Sequence, residues 1–480
     1  MNFVSDYNKL MNNMKNNNDS KRRMKLIIRF LVFSIGFILI LSSVSHVLMR
    51  KSSEQKLKRF FDEQAGFDVL FMGISHMQMG VSPMELWNEY GITSFNFAHS
   101  FERLPFAYWV LKMALEYADP SIVVIDVRRI YDPDIQSGPG VSTVLDYFPL
   151  TLTKFNAVNE LFSDFNEKLG YLFHIIKYHE RWIELTEADF NVTDYVLDNG
   201  SFKYEGSAIQ VYDVVTHSKI QPDDMAPGSE LCTFYLRKMI ELCKSKDINV
   251  ILAEIPFPAT HDGQRFANGV QLIADEYDVP YLNFHRIPGV VSMSVDMANK
   301  SHLNDSGARK VSYYIGEYIR ENYDLPDRRN DPAYASWNEQ FETFRNIKDQ
   351  RIRDRRNLKK VLMLLMDRHV NTYIRIRPDS KVYKKTVFRK LVMNLCAGEE
   401  KLARFIKAAD EEKEYSAFIC NETGLITEQI GPEPIESEAD GTYRFFNKRE
   451  YEEEYLSSPY GVEIQAFNGE TGEEIIHKVF

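Results

Sequence analysis

Residues 68–80 read DVLFMGISHMQMG. A brief apolar run, Asp68–Met72, enters Gly73, and the polar pair Ser75 and His76 follows at once. A short, continuous apolar run bounded by glycine is the pattern of a strand buried on both faces of a parallel sheet. Similar runs recur at Thr93–Phe97, Ser121–Val127, Ile248–Ile255 and Pro280–Phe284. Helical patterns at Pro105–Tyr117, Gly228–Lys244, Thr260–Tyr277 and Ser306–Tyr323 fall between and after them. Strands alternating with helices predict βα units, and hence an α/β fold with a parallel sheet covered on both faces.

A serine just past such a strand stands at the carboxyl edge of the sheet. Gly73 permits the tight turn, and a following helix can aim its first amides at a developing oxyanion. A serine there is also a common helix cap, so the reading needs a second component. Residues 296–319, DMANKSHLNDSGARKVSYYIGEYI, supply one: a polar loop holding His302 runs into an amphipathic helix. A neutral imidazole in that loop can take a serine proton and return it to a leaving group.

The G-I-S-H of residues 73–76 and the H-L-N-x-x-G-A of residues 302–308 resemble the first and last sequence blocks of the SGNH/GDSL hydrolase superfamily, across roughly residues 66–325. The runs at 86–127 and 177–190 are similar to elements of its membrane-anchored cell-surface members in Gram-positive bacteria, distant relatives of the teichoic-acid D-alanylation and alginate O-acetylation proteins. The resemblance implies a flavodoxin-like three-layer fold, with Ser75 as nucleophile and His302 as base. The family's Asp three residues before the His is Asn299 here; the nearest upstream carboxylate, Asp296, is the favoured acid, with Asn299 as the alternative in an orienting role. Oxyanion donors implied are the backbone amides of Ser75 and Ala98. The family's GxND segment is absent after the third strand, where Asp126, Val127, Arg128 and Arg129 stand. His76, Asn96, Arg128, His179 and Arg181 are candidate substrate-binding residues. The arginines at 128 and 129 suit either an anionic polymer or surface ion pairs.

The function implied is a serine esterase or acyltransferase acting on a cell-envelope polysaccharide or another acylated polymer, with O-acetyl groups transferred or removed through an acyl-serine. A multi-span membrane acyltransferase is the implied partner, and no soluble cofactor is implied. The alternative is a non-catalytic protein of the same fold that binds glycan or assembles an envelope-modification complex.

Outside that domain, Leu26–Met49 is apolar but for one charge, Arg29, which sits near the end and can snorkel, and it is long enough at helical rise to cross a hydrocarbon core of about 30 Å. Residues 1–25 then form a cytoplasmic tail, and 26–49 a single span with the main domain outside the cytoplasm. Basic residues flank both ends, so the orientation rests on the polar leader and on the resemblance. The domain proper is placed at 60–325, with 131–227 as an insertion or lid over the sheet. Residues 326–366 read as a charged helical linker, and 367–480 as an α+β module for binding or docking.

The formal net charge of −11 lacks the basic surface that nucleic acid requires. The four cysteines, at 232, 243, 396 and 420, have no zinc spacing, and no metal is expected. Cys232 and Cys243 are about 16 Å apart along one helix, too far to pair. Cys396 and Cys420 are left open between a disulfide and free thiols.

Overall fold

The computed structural model describes residues 3–100, 102–133, 142–190, 198, 216–395, 402–421, 424–433, 435–439, 442–446 and 451–480. The chain divides into two compact units, Met1–Gln55 with Thr143–Thr193 and Lys56–Ser142 with Asp194–Phe480. The first elements are α1 (Phe3–Leu48), α2 (Lys51–Asp62), β1 (Val69–Met72), α3 (Ser75–Gly80), α4 (Pro83–Tyr90), β2 (Ser94–Asn96), α5 (Leu104–Ala114) and β3 (Ile122–Asp126). After α6 (Ser142–Tyr147), α7 (Leu152–Leu161), α8 (Phe165–Leu172) and α9 (His174–Tyr178) come α10 (Glu230–Lys244), β4 (Asn249–Glu254), α11 (His261–Tyr277), β5 (Tyr281–Asn283) and α12 (Asp305–Asn322).

The five strands form a parallel sheet ordered β2-β1-β3-β4-β5, the flavodoxin-like α/β order expected from the sequence. All four residues of β1 are fully buried, as an unalternating apolar strand requires. Val69, Phe71, Val124 and Ile251 share one core with Leu86 of α4 and Val311 and Ile315 of α12. On the other face α5 packs with α10. The order reverses between β1 and β3, and in doubly wound sheets ligands bind at the carboxyl ends of the strands beside that switch point. Ser75 follows β1 and Asp126 ends β3.

The sequence supplies the helix starts. Ser82 caps α4, with Pro83 in its first turn; Ser229 caps α10; Thr260 caps α11; and the Asn304 side chain accepts from Gly307 N at the start of α12. Each such cap contributes about 1 kcal/mol.

The segment expected as a solvated linker is a packed helix instead. In α13 (Ala335–Asp354) Trp337 is fully buried; its ring lies 5.2 Å from that of Trp87, and its Nε1–H donates to Glu63 at 2.8 Å. Phe344 and Ile352 are also buried, because one face of this charged helix carries the apolar residues. Beyond it come α14 (Leu358–Leu364), β6 (Val370–Ile376), α15 (Lys381–Lys384), α16 (Thr386–Met393), α17 (Ala403–Asp410), β7 (Tyr415–Cys420) and β8 (Leu425–Ile430). A hairpin of β9 (Ile435–Ala439) and β10 (Thr442–Phe446), a short helix α18 (Glu452–Ser457), and the strands β11 (Val462–Asn468) and β12 (Glu474–Val479) complete the chain. The second sheet is antiparallel, ordered β12-β11-β6-β7-β8, and α14 and α16 pack against its core. The α+β expectation describes it, although the β9–β10 hairpin was not foreseen. Cys232 and Cys243 are buried free thiols on α10; the pairing of Cys396 with Cys420 falls outside the described residues.

In the other unit, Arg22–Leu48 of α1 is long and apolar enough to cross a membrane, with a mean hydropathy of 2.4 in its most apolar window. The described part of 131–227 is not one lid. Residues 143–190 belong with α1, where Leu48, Met49 and Tyr178 form a small core. Residues from 216 onward join the sheet unit, with Ala226 N donating to Arg265 O and Asn268 Nδ2 to Gln221 O. The intervening 191–197 and 199–215 lie outside the described residues.

Candidate active site

The chain leaves β1 through Gly73, whose φ is +147°. A Cβ at that position would lie 2.3 Å from Asp126 Cβ, so both the backbone angle and the neighbouring strand demand glycine. Ser75 then opens α3. Its Oγ lies 2.8 Å from His302 Nε2, so residues 227 positions apart meet at hydrogen-bond distance.

The loop that presents His302 is built by two short side chains. Asn299 Oδ1 accepts from Ser301 N at 2.8 Å and from His302 N at 3.0 Å, and lies 3.2 Å from His302 Nδ1. Two backbone donors fix which end of the Asn299 amide faces the ring. The matching tautomer has Nδ1–H donating to Asn299 and Nε2 accepting from the Ser75 hydroxyl. Burial holds the His302 imidazole below its usual range, so the ring is neutral and able to accept a proton at pH 7.

Asp296, favoured from sequence as the acid, occupies a different place. Its carboxylate accepts from Ser292 N at 2.7 Å and Ser306 Oγ at 2.9 Å, and pairs with Lys310 at 2.8 Å. It is fully buried and braces the loop against α12; a Cβ on Gly307 would lie 2.5 Å from its carbonyl oxygen. A carboxylate already satisfied by two donors and an ammonium has reason to stay there, and the position against His302 belongs to Asn299.

The oxyanion expectations divide. Ser75 N–H, at the first position of α3, is free of the helix's own ladder. Ala98 N–H is engaged, donating to Asn96 Oδ1 at 3.1 Å. Asn96 is itself fully buried, and its Nδ2 donates to Met77 O at 3.0 Å, so it ties β2 to α3 rather than facing a substrate. Asp126 lies under the turn and accepts from Arg128 N at 3.1 Å and, at the longer 3.4 Å, from Ile74 N. Burial, with the Glu254 carboxylate nearby, raises its pKa to about 8. At neutral pH it is mostly uncharged, which spares a forming oxyanion a negative neighbour.

Beside the pair lies a second group of side chains. The His76 ring is buried 5.0 Å from that of His302 and 5.3 Å from Phe257. The Arg128 guanidinium stacks 3.7 Å from the Phe257 centroid, and His285 packs on the same ring at 4.8 Å. Both nitrogens of His76 and Arg128 Nε are buried without a hydrogen-bond partner among the described residues, whereas His285 Nε2 lies 3.7 Å from the Glu254 carboxylate. Unpaired buried donors beside a nucleophile suit a ligand or water carrying acceptor atoms. Burial, followed by the charge of Arg128, drives the His76 pKa well below its normal value.

The remaining sequence candidates, His179 and Arg181, belong to the other unit. Arg181 donates to Leu48 O, at the end of α1, and pairs with Asp189 at 2.9 Å. His179 is exposed and its Nδ1 donates to Ile176 O at 2.9 Å. Arg181 is a structural brace, which corrects its expected substrate contact. Sequence reasoning missed Phe257 and His285, although each follows a strand's carboxyl end, in the segments IPF and NFH, where the fold class places functional side chains. Among the described residues no group of three or more His, Cys, Asp or Glu could hold a metal ion.

No protein-family model matches the chain, and no curated protein matches it. Among solved structures the chain is similar to a candidate acylhydrolase from Bacteroides fragilis NCTC 9343, with 12% identity and a TM-score of 0.28 over 56% of this chain and 97% of that one. A GDSL-like lipase from Bacteroides thetaiotaomicron VPI-5482 matches with 12% identity and a TM-score of 0.28, over 56% of this chain and 98% of that one.

Proposed function

We propose that the chain is a membrane-anchored serine esterase or acyltransferase that moves acyl groups, O-acetyl above all, on or off a cell-envelope polysaccharide. The observation that carries this reading is the 2.8 Å contact between Ser75 Oγ and a neutral His302. In the reaction, Ser75 Oγ attacks the ester carbonyl while its proton passes to His302 Nε2. The tetrahedral oxyanion takes a hydrogen bond from Ser75 N–H. Collapse breaks the ester bond, and the leaving oxygen takes the proton back from Nε2. A polymer hydroxyl or water, deprotonated by the same nitrogen, then resolves the acyl-serine. Arg128, with His76, favours a substrate whose alcohol or acyl portion carries an anionic group near the ester.

Asn299 favours a second reading. An amide orients an imidazole but does not stabilise imidazolium as a carboxylate does, and this suits a fold retained for binding glycan or for assembling a complex with a multi-span acyltransferase. The two readings separate in the native cell. With Ser75→Ala at normal abundance, the catalytic reading predicts an altered acyl content of the envelope polymer, matching that of a deletion strain. Unchanged acylation with Ser75→Ala, in a strain where deletion changes it, would establish the binding reading instead.

A further inference from the structure

We infer that the helices of residues 143–190 form a second membrane contact, lying in the lipid headgroup–acyl boundary beside the point where α1 leaves the bilayer. The inference rests on the reading of α1 as a membrane span. These helices are fastened to the end of that span: Leu48 and Met49 share a core with Tyr178, and the Arg181 guanidinium holds the Leu48 carbonyl. Lys51 reaches back to His46 O at 2.6 Å, so the exit of α1 is tied from both sides.

From Leu26 to Leu41 the side chains of α1 are apolar apart from Arg29 near the start, Ser34 and Gly36, and a pair of serines follows at 42 and 43. At 1.5 Å per residue, Leu48 stands about 10 Å beyond the last wholly apolar turn, a depth comparable with the headgroup layer. Whatever is fastened to Leu48 is therefore held at that layer.

The helices held there expose the side chains such a layer accepts. Leu152 is 83% exposed, Trp182 70% and Ile183 71%, and Phe155, Phe173 and Ile176 are exposed as well. In water this is an unusual concentration of bare apolar surface. Beneath it the fold is well made: Asp146 joins Lys177 at 3.0 Å and Tyr178 OH at 2.5 Å, and Lys154 donates to Phe148 O at 2.8 Å. The apolar residues outside this polar core therefore need another solvent. Residues 143–193 carry eight Asp and Glu against four Lys and Arg, so anionic lipid would repel them, and the attraction comes from apolar burial and from the preference of tryptophan for the interface.

The test uses the intrinsic fluorescence of the full chain reconstituted in phosphatidylcholine vesicles. Trp87, Trp109 and Trp337 are buried, so quenchers report mainly on Trp182, and Trp182→Phe provides the difference signal. Retention on the vesicles after an alkaline carbonate wash establishes the span independently; loss in the wash overturns that reading itself. In retained protein, lipids brominated high on the acyl chain should remove roughly half of the Trp182 emission, aqueous iodide should leave it nearly intact, and adding anionic lipid should not strengthen the effect. Quenching by iodide but not by bromolipid would overturn the inference. Shielding from both would also overturn it, and would place protein, such as a second copy of the chain, over this surface.

Discussion

Two histidines in the sheet-bearing unit have opposite surroundings. His302 faces a serine on one nitrogen and an amide oxygen on the other. His369 is held between two carboxylates, with Nδ1 2.7 Å from Asp367 and Nε2 2.7 Å from Asp349. Burial lowers the pKa of the first. The second is raised to about 9 because the carboxylates outweigh its burial. The chain thus builds a His–Asp arrangement, but uses it as a fixed cation in a clamp that also joins Lys348 to Glu85 and Asp367. A cavity of about 190 Å³ opens beside that clamp, lined by Glu85, Tyr313, Phe344, Lys348 and His369 among others; every charge named there is already paired, and no serine or cysteine lines it. Chemistry needs the neutral, half-buried ring; docking needs the charged one.

The comparison breaks first at Ser75 and His302. Replacing either by Ala should lower ester turnover by roughly a thousand-fold or more while leaving the thermal midpoint near that of the parent. His369→Ala should do the reverse, costing about 3 kcal/mol of stability by leaving the buried Asp349 without its cationic partner, with little change in turnover per folded molecule. The sign of the pH dependence follows from the raised pKa. Stability from His369 is complete below the unfolded value of about 6.5 and is lost as pH rises through about 9. Urea midpoints should therefore fall across that window in the parent and remain flatter in His369→Ala.

Two smaller effects sharpen the contrast. Asn299→Asp gives His302 the anionic partner that His369 has, and should raise turnover roughly ten-fold and move the acid limb of kcat/KM to higher pH. In the parent that limb should lie below the ordinary histidine range. An alkaline limb should appear near pH 8, where Asp126 ionises beneath the oxyanion position; Asp126→Asn should remove it. A parent profile that stays flat from pH 7 to 9 would contradict the Asp126 assignment, and an acid limb above the ordinary histidine range would contradict that of His302.

The sheet was legible because VLFM, IVVI and VILA are unbroken apolar runs of strand length bounded by polar residues or glycine, the pattern of a strand buried on both faces. Ser75 and His302 were legible because each stands inside a recognisable block beside a helix start. Asp296 and Asn299 were separable only in three dimensions: both precede His302 by a few residues, and it was Lys310, one helix turn beyond Ser306, that captured the carboxylate. In α13 the charges hid the period. Trp337, Phe341, Phe344 and Ile352 recur at helical spacing, an apolar stripe inside a run that reads as solvated by composition alone. The relation of 143–190 to the end of α1 carries no local signal, since it depends on contacts such as Tyr178 with Leu48 across more than a hundred residues.

The most direct measurement is peptide-level mass spectrometry of the full chain in detergent after treatment with a fluorophosphonate, compared with Ser75→Ala and His302→Ala. The account predicts a single adduct on the peptide containing Ser75, formed faster as pH rises through the His302 titration and absent from both variants. A folded protein that takes no label at Ser75, or takes it equally well without His302, would contradict an activated serine and leave the fold to a binding role.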